Sequence, residues 1–221
     1  MKPHVKEQVR RSPAWLDPAR LDITEPLDWS RLFGAERAGE GIELDLGAGD
    51  GDFIAARAAR FPERGFLGVE RLLGRALKIA RKANVRGLEN LKALRLESWY
   101  TLRYLVPPAS VAAVHLMFPD PWPKQRHAGN RLVQPEFAVA LARALRAGGE
   151  FRFTTDHEAY FREACEVIDA DSALEHQEAW DFGADARTDF QAQWEAQGRV
   201  IHRARWGLPT RGTAPKAPPA E

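Results

Sequence analysis

The first stretch that could do chemistry is Asp45-Leu46-Gly47-Ala48-Gly49-Asp50-Gly51, an acid inside an apolar run followed by three alternating glycines. Glycines let the backbone turn tightly and approach a ligand closely. An ionised Asp45 in apolar surroundings is costly unless something cationic pairs with it. The ammonium end of a methionine-derived cofactor would do so. Glu70 closes the run Gly65–Glu70 and could accept both hydroxyls of a ribose. Bonds of that kind contribute about 1.5–3 kcal/mol each. Glu97 closes another apolar run and could face an adenine amino group. A nicotinamide dinucleotide also uses a ribose-binding acid, so it remains a rival. Asp52 weakens that rival, because it stands where the fingerprint G-x-G-x-x-G requires its third glycine.

The second stretch is Phe118-Pro119-Asp120-Pro121-Trp122-Pro123-Lys124, with Arg126, His127 and Arg131 close behind. Three prolines in five positions stiffen the backbone, so Asp120 and Trp122 are presented from a rigid loop. Acid, aromatic plate and basic cluster would thus meet where the reactive end of a cofactor lies. Asp156 ends a third candidate, Thr154-Thr155-Asp156.

These residues need a scaffold that brings them to one edge. Gly41–Leu46, Gly65–Glu70, Asn90–Glu97, Ser110–Phe118 and Glu150–Asp156 read as short buried strands. Asp52–Arg60, Arg71–Arg86, Pro135–Arg146 and His157–Asp169 read as helices between them, the third closed by Gly148 and Gly149. Ala173–Trp180 and Arg199–Trp206 supply last strands, with Val200, His202, Ala204 and Trp206 on one face. The alternation predicts an α/β fold, a doubly wound, mostly parallel sheet with helices on both faces. Ligands of such sheets lie at the carboxyl ends of the strands, where Asp45, Glu70, Glu97, Asp120 and Asp156 all fall. Residues 1–28, with four prolines, read as an N-terminal arm outside the core, 29–206 as the domain, and 207–221 as a disordered tail.

At the motifs D-L-G-A-G-D-G (45–51), F-L-G-V-E (66–70) and above all F-P-D-P-W-P-K-Q-R-H (118–127), the sequence resembles the bacterial tRNA (guanine-N7-)-methyltransferases. The run Thr154–Asp156 and the stretch Thr188–Arg203 match as well, and the resemblance spans about four fifths of the chain. It implies a Rossmann-like S-adenosylmethionine-dependent methyltransferase acting on N7 of a guanine in the variable loop of tRNA. Carried over, Asp45, Gly47, Gly49, Gly51, Glu70, Glu97 and Asp120 would bind the cofactor. Asp120 would also be catalytic. Lys124, Asp156, Thr188 and Gln191 would meet the substrate, and Arg126, His127 and Arg131 the RNA backbone. The chain departs from the family at Asp45, where Glu is usual, and at Glu97, where Asp is usual. Ala128-Gly129-Asn130 interrupts a denser basic run, and Gln191 replaces an acid.

Net charge by itself says little about a nucleic-acid partner; its distribution says more. The net charge of the 221 residues is only +1, but residues 71–95 hold eight Lys or Arg against one acid. Residues 156–195 hold twelve acids against two Arg. Arg71, Arg75, Lys78, Lys82 and Arg86 recur at helical spacing opposite Leu73, Leu77, Ala80 and Ala83. That stripe is either a solvated face or a phosphate contact. Cys165 is the only cysteine, which excludes an internal disulfide and points to a reducing, cytoplasmic setting. No apolar run reaches membrane-spanning length and no metal-ligand spacing stands out, so neither a membrane nor a metal is expected. The sequence leaves monomer and homodimer open.

Overall fold

A computed structural model describes residues 1–122, 124–170, 173–178 and 196–210. Eight strands form one sheet: β1 (Trp15–Leu16), β2 (Ile42–Leu46), β3 (Gly65–Val69), β4 (Leu91–Leu94), β5 (Val111–Met117), β6 (Leu145–Thr155), β7 (Glu175–Gln177) and β8 (His202–Gly207). Their order is β1-β4-β3-β2-β5-β6-β8-β7. The strands from β1 through β6 pair in parallel, whereas β8 runs antiparallel to both β6 and β7. The helices are α1 (Pro3–Arg10), α2 (Trp29–Phe33), α3 (Ala35–Glu40), α4 (Asp52–Arg60), α5 (Leu73–Arg86), α6 (Ser98–Tyr100), α7 (Pro135–Ala144) and α8 (Glu158–Asp169). The expected doubly wound α/β architecture is therefore present.

Every residue of β2 and β3 is buried, as central parallel strands covered on both faces require. The amphipathic helix α5 buries Leu77, Ile79, Ala80 and Ala83 against one face of the sheet. It stops at Gly87, whose φ of +64° is the left-handed conformation that ends many helices. The other face is covered by α7 and α8, around Phe137, Phe151, Phe153, Tyr160 and Trp206. Trp206 and Tyr160 of this set are the largest fully buried side chains among the described residues. An ionic cluster is embedded in the same sheet. Glu43 on β2 accepts two bonds from Arg57 at 2.7 and 2.8 Å, one from Arg64 at 3.0 Å, and lies 2.9 Å from His115 Nε2. Burial opposes the Glu43 charge, but the bonds from His115 and Arg57 outweigh it and hold the carboxyl below its ordinary range. Burial likewise pushes His115 down to about 4.

Several expectations change. The segment before residue 29 is not outside the core: β1 pairs with β4, and Val9, Ala14, Trp15, Leu16 and Leu27 are buried. Apolar residues scattered among prolines gave no periodicity, yet each fills a place at the sheet edge. The third predicted helix ends at Ala144, because Leu145 turns extended and pairs with Val111. Gly148 and Gly149 then belong to an irregularity within β6, not to a helix cap. A methyl on Gly149 would come within 2.8 Å of the Arg146 carbonyl, so the bend requires glycine there. The third strand closes at Leu94, and residues 98–105 form α6 followed by a π-helical turn. Val200 is 69% exposed and lies before β8, so only His202, Ala204 and Trp206 keep the expected inward face.

Candidate functional site

The strand order reverses between β2 and β5, and a cleft opens at their carboxyl ends, where ligands of such sheets lie. Its volume is about 920 Å³. The glycine turn forms its floor. Gly47, Gly49 and Gly51 have φ of +76°, +56° and +79°. Gly51 is further constrained, since a Cβ there would meet Ile79 at 2.6 Å. This positions α4 to start directly under the cleft, with Asp52 in its first turn.

Asp45 lines the cleft and is 1% exposed. Its Oδ1 is buried with no hydrogen-bond partner among the described residues. Burial, and then the nearby Glu70 charge, push the carboxyl up to about 8. A buried, partnerless acid at a cleft wall is a place for a cation.

Asp120 and Pro119 come to the same cleft from the end of β5. The loop is strained on both sides of Asp120: Phe118 and Trp122 have φ of +52° and +43°, unusual for residues bearing side chains. Strain of this kind persists where surrounding contacts enforce it and clusters at functional sites. Here the enforcing contacts are visible. Phe118 N donates to Thr154 O at 2.8 Å. Arg131 donates to Pro121 O at 2.9 Å and Trp122 O at 3.4 Å. Asp156, after β6, and Arg199, before β8, complete the wall, with Arg199 Nη1 donating to Asp156 Oδ2 at 2.6 Å.

The cleft thus gathers Asp45, Gly47, Gly49, Gly51, Asp120 and Asp156 of the residues singled out in the sequence. Others stand elsewhere. Glu70 is buried behind the turn, where Oε2 accepts from Gly49 N at 3.0 Å and Oε1 from Leu72 N at 2.7 Å. It holds the glycine turn in shape, with lone pairs left for a ligand. Glu97 caps α6 through Trp99 N and Tyr100 N and faces a second cavity, of about 440 Å³, beside Trp99 and Arg103. Lys124 and Arg126 are exposed beyond the loop, and Arg126 donates to His127 at 3.3 Å. The ring of His127 meets Trp122 edge-on at 6.0 Å between centroids.

Arg131 corrects the sequence reading. It was expected to meet RNA phosphates, but it is 4% exposed. Its guanidinium is spent on two loop carbonyls, on Glu163 and on the face of Tyr160, 5.2 Å away. It braces the acidic loop from behind. The basic stripe on α5 is also divided. Lys78 bonds Asp50 at 2.6 Å, Lys82 pairs with Asp52 at 2.5 Å, and Arg75 lies 3.9 Å from Asp50. Those three pair at or beside the glycine turn, two of them while still exposed; Arg71, just before α5, and Arg86, its last residue, are exposed as well. Thr188, Gln191 and Pro123 lie outside the described residues, as does the tail from 211 onward.

Two contributions escaped the sequence. Met1, before α1, and Lys6, on it, line the cleft, and so does Arg199. Arg199 could have been found only by knowing that β8 lies antiparallel against β6, which returns its leading residues to the cleft edge. No helix among the described residues is long and apolar enough to cross a membrane, and no group of three or more metal-ligating side chains gathers there.

Comparison with known proteins adds to this geometry. A family model described as "Putative methyltransferase" matches residues 40–204. A tRNA (guanine-N(7)-)-methyltransferase of Rubrobacter xylanophilus is 36% identical over 176 residues, covering 78% of the chain and 77% of the relative. One of Thermotoga maritima is 33% identical over 176 residues and 79% of the chain, which spans 55% of that relative's length. Among solved structures, the 16S rRNA methyltransferase KamB superposes with a TM-score of 0.61 at 18% identity, covering 84% of the chain and 95% of KamB. That likeness is one of fold.

Proposed function

The chain belongs to the tRNA (guanine-N7-)-methyltransferase family, and from that premise we propose that it transfers a methyl group to N7 of a guanine in the variable loop of tRNA. The observation that carries the reading is the buried, partnerless oxygen of Asp45, set in one cleft with the stiffly held Asp120. A cleft with that oxygen fits S-adenosylmethionine, whose ammonium would complete Asp45. Gly47, Gly49 and Gly51 would let the backbone approach it closely, with Glu70 fixing the turn beneath. When bound, that cofactor supplies an electrophilic sulfonium methyl.

The protein has little proton chemistry to perform. The N7 lone pair of guanine lies in the ring plane and carries no proton, so no general base is needed. The chain's work is alignment and electrostatics. Asp120 stands on the strained loop where a purine would enter from solvent. A fixed carboxylate there favours the purine as it becomes cationic. Asp156 would hold the base edge. Lys124, Arg126 and His127, past the loop, would meet the RNA, and Arg131 would keep the loop rigid while they do. Trp122, 38% exposed, offers a surface on which an extruded base can stack.

The test is to incubate the protein with labelled S-adenosylmethionine and unmodified tRNA and to map new N7-methylguanine. Methylation at the variable loop, abolished in tRNA lacking that guanine, is expected. Asp120→Asn should lower the rate about 10²–10³-fold. Near-normal turnover in that variant removes Asp120 from the mechanism. Gln191, where the family has an acid, favours a second reading, a tRNA-binding homologue with weakened transfer; a gel shift without methylation would select it.

A further inference from the structure

Asp156 and Arg199 come from segments far apart in sequence. Asp156 follows β6 and Arg199 precedes β8, and the antiparallel register, with Thr155 opposite His202, brings the two together. Both line the cleft that Asp120 lines. The Asp156 side chain is 14% exposed and that of Arg199 51%, so the acid is the more deeply set of the two and the guanidinium lies at the cleft surface.

Joined through Arg199 Nη1 and Asp156 Oδ2, the pair presents hydrogen-bonding groups in a row. The guanidinium is a donor, and each carboxylate oxygen is an acceptor with a lone pair to spare. The Watson–Crick edge of guanine is the complement of that row: O6 accepts, N1–H donates and the N2 amine donates. Adenine offers a donor, an acceptor and nothing third, so it would set like against like at two places. Buried or half-buried polar groups left facing their own kind are strongly rejected.

We propose that Arg199 is a specificity-determining residue, donating to guanine O6 while Asp156 takes the N1 and N2 hydrogens. The proposal rests on the methyl-transfer reading above and adds to it the residue that reads O6. The chemistry of O6 allows this without obstructing the reaction. A donor that approaches O6 on its N1 side leaves N7, across the ring, open to the methyl. Arg199 also offsets the Asp156 charge in a cleft that must admit a polyanion. A merely structural ion pair would have no preference among bases.

The experiment compares tRNAs carrying guanosine, 6-thioguanosine or inosine at the methylated position, with wild type, Arg199→Ala and Arg199→Lys as full chains. 6-Thioguanosine keeps both donors and weakens only the acceptor at position 6; inosine keeps O6 and N1–H and lacks the amine. The readout is the ratio of kcat/KM values, in which the intrinsic reactivity of each base cancels between enzymes. Wild type should prefer guanosine over 6-thioguanosine by a factor that Arg199→Ala reduces about 10- to 100-fold, the range of one charge-assisted bond. Arg199→Lys, which keeps a donor, should restore part of it. The discrimination against inosine, which belongs to Asp156, should survive in both. An unchanged guanosine-to-thioguanosine ratio in Arg199→Ala overturns the proposal while leaving methyl transfer intact. Absence of transfer to guanosine tRNA by wild type overturns the underlying functional reading instead, and this inference with it.

Discussion

Replacing Asp45 with Asn tests whether the cleft is built around a missing positive charge. The Asp45 carboxyl rises from an ordinary 3.8 to about 8, through burial and then the Glu70 charge. The sign follows from linkage. Between about pH 4 and pH 8 the unfolded chain releases the Asp45 proton and the folded chain keeps it. Folded stability from this group is therefore full below pH 4 and is lost as pH rises toward 8. At about 1.4 kcal/mol per unit, the shift sets an upper limit of about 5–6 kcal/mol, reached only if no water or cation contacts the carboxyl. Asn keeps the shape and removes the titration. Thermal melts of the ligand-free proteins from pH 5 to pH 9 should show Asp45→Asn gaining on wild type as pH rises. His115, held neutral down to about 4, costs wild type stability as pH falls below 6.5, but that slope is common to both proteins and drops out of the difference. Adding S-adenosylmethionine should reverse the order, because only wild type offers a charge to the ammonium. The variant should bind it about 10- to 100-fold more weakly. Parallel pH curves for the two ligand-free proteins, or equal affinities, would refute the assignment of Asp45 to a cation.

Two further outcomes separate bracing from binding. Arg131→Ala should destabilise the fold by about 1–3 kcal/mol, since it leaves Pro121 O, Trp122 O and Glu163 without their donor; it should slow methyl transfer yet leave the salt slope of tRNA binding unchanged, and a reduced slope would return Arg131 to the RNA interface. Along the basic stripe, Arg71→Ala, just before α5, and Arg86→Ala, at its end, should each reduce the logarithmic salt slope of tRNA binding by about 1, as a lost phosphate contact does; Lys82→Ala, whose ammonium already holds Asp52 and Asp50 O, should change it less, and a flat slope in wild type would argue against phosphate contact altogether.

The sequence made the strand-end acids legible because burial and charge conflict there. Asp45 in an apolar run and Asp120 between prolines are local anomalies, and both face the cleft. The glycine turn was equally readable, since three alternating glycines have few structural uses. Arg131 was misread because its chemistry is that of its neighbours. Only the packing of the loop against Glu163 and Tyr160, 29 to 32 positions away, turns it inward. Arg199 was missed for a related reason: nothing in its own surroundings marks it, and its place depends on the direction of β8. The segment before residue 29 hid its core role because β1 is two residues long, too short for any periodicity to register. Glu70 does follow β3 directly, but its carboxylate holds the amides of Gly49 and Leu72, while Glu97 lies three residues beyond β4 and caps α6.

Five acids in one cleft raise the question of how the polyanionic substrate proposed above would approach at all. If Asp45, Asp120 and Asp156 all bore charge, the cleft would repel phosphate through the low-dielectric walls that focus its field. The environments sort them instead. Asp45 retains its proton while no cation is present, because it is buried beside Glu70. Asp156 is offset by Arg199 at 2.6 Å. Asp50 and Asp52, which also line the cleft, are held by Lys78 and Lys82. Asp120, exposed on its stiff loop, has no ion pair among the described residues, and it would stand where a purine gaining positive charge needs one. A sulfonium ligand that ionises Asp45 brings its own compensating charge with it. On the proposed function the cleft would be acidic toward the reaction and nearly neutral toward the RNA, and that separation would depend on the pairings of Asp50, Asp52 and Asp156 as much as on Asp120.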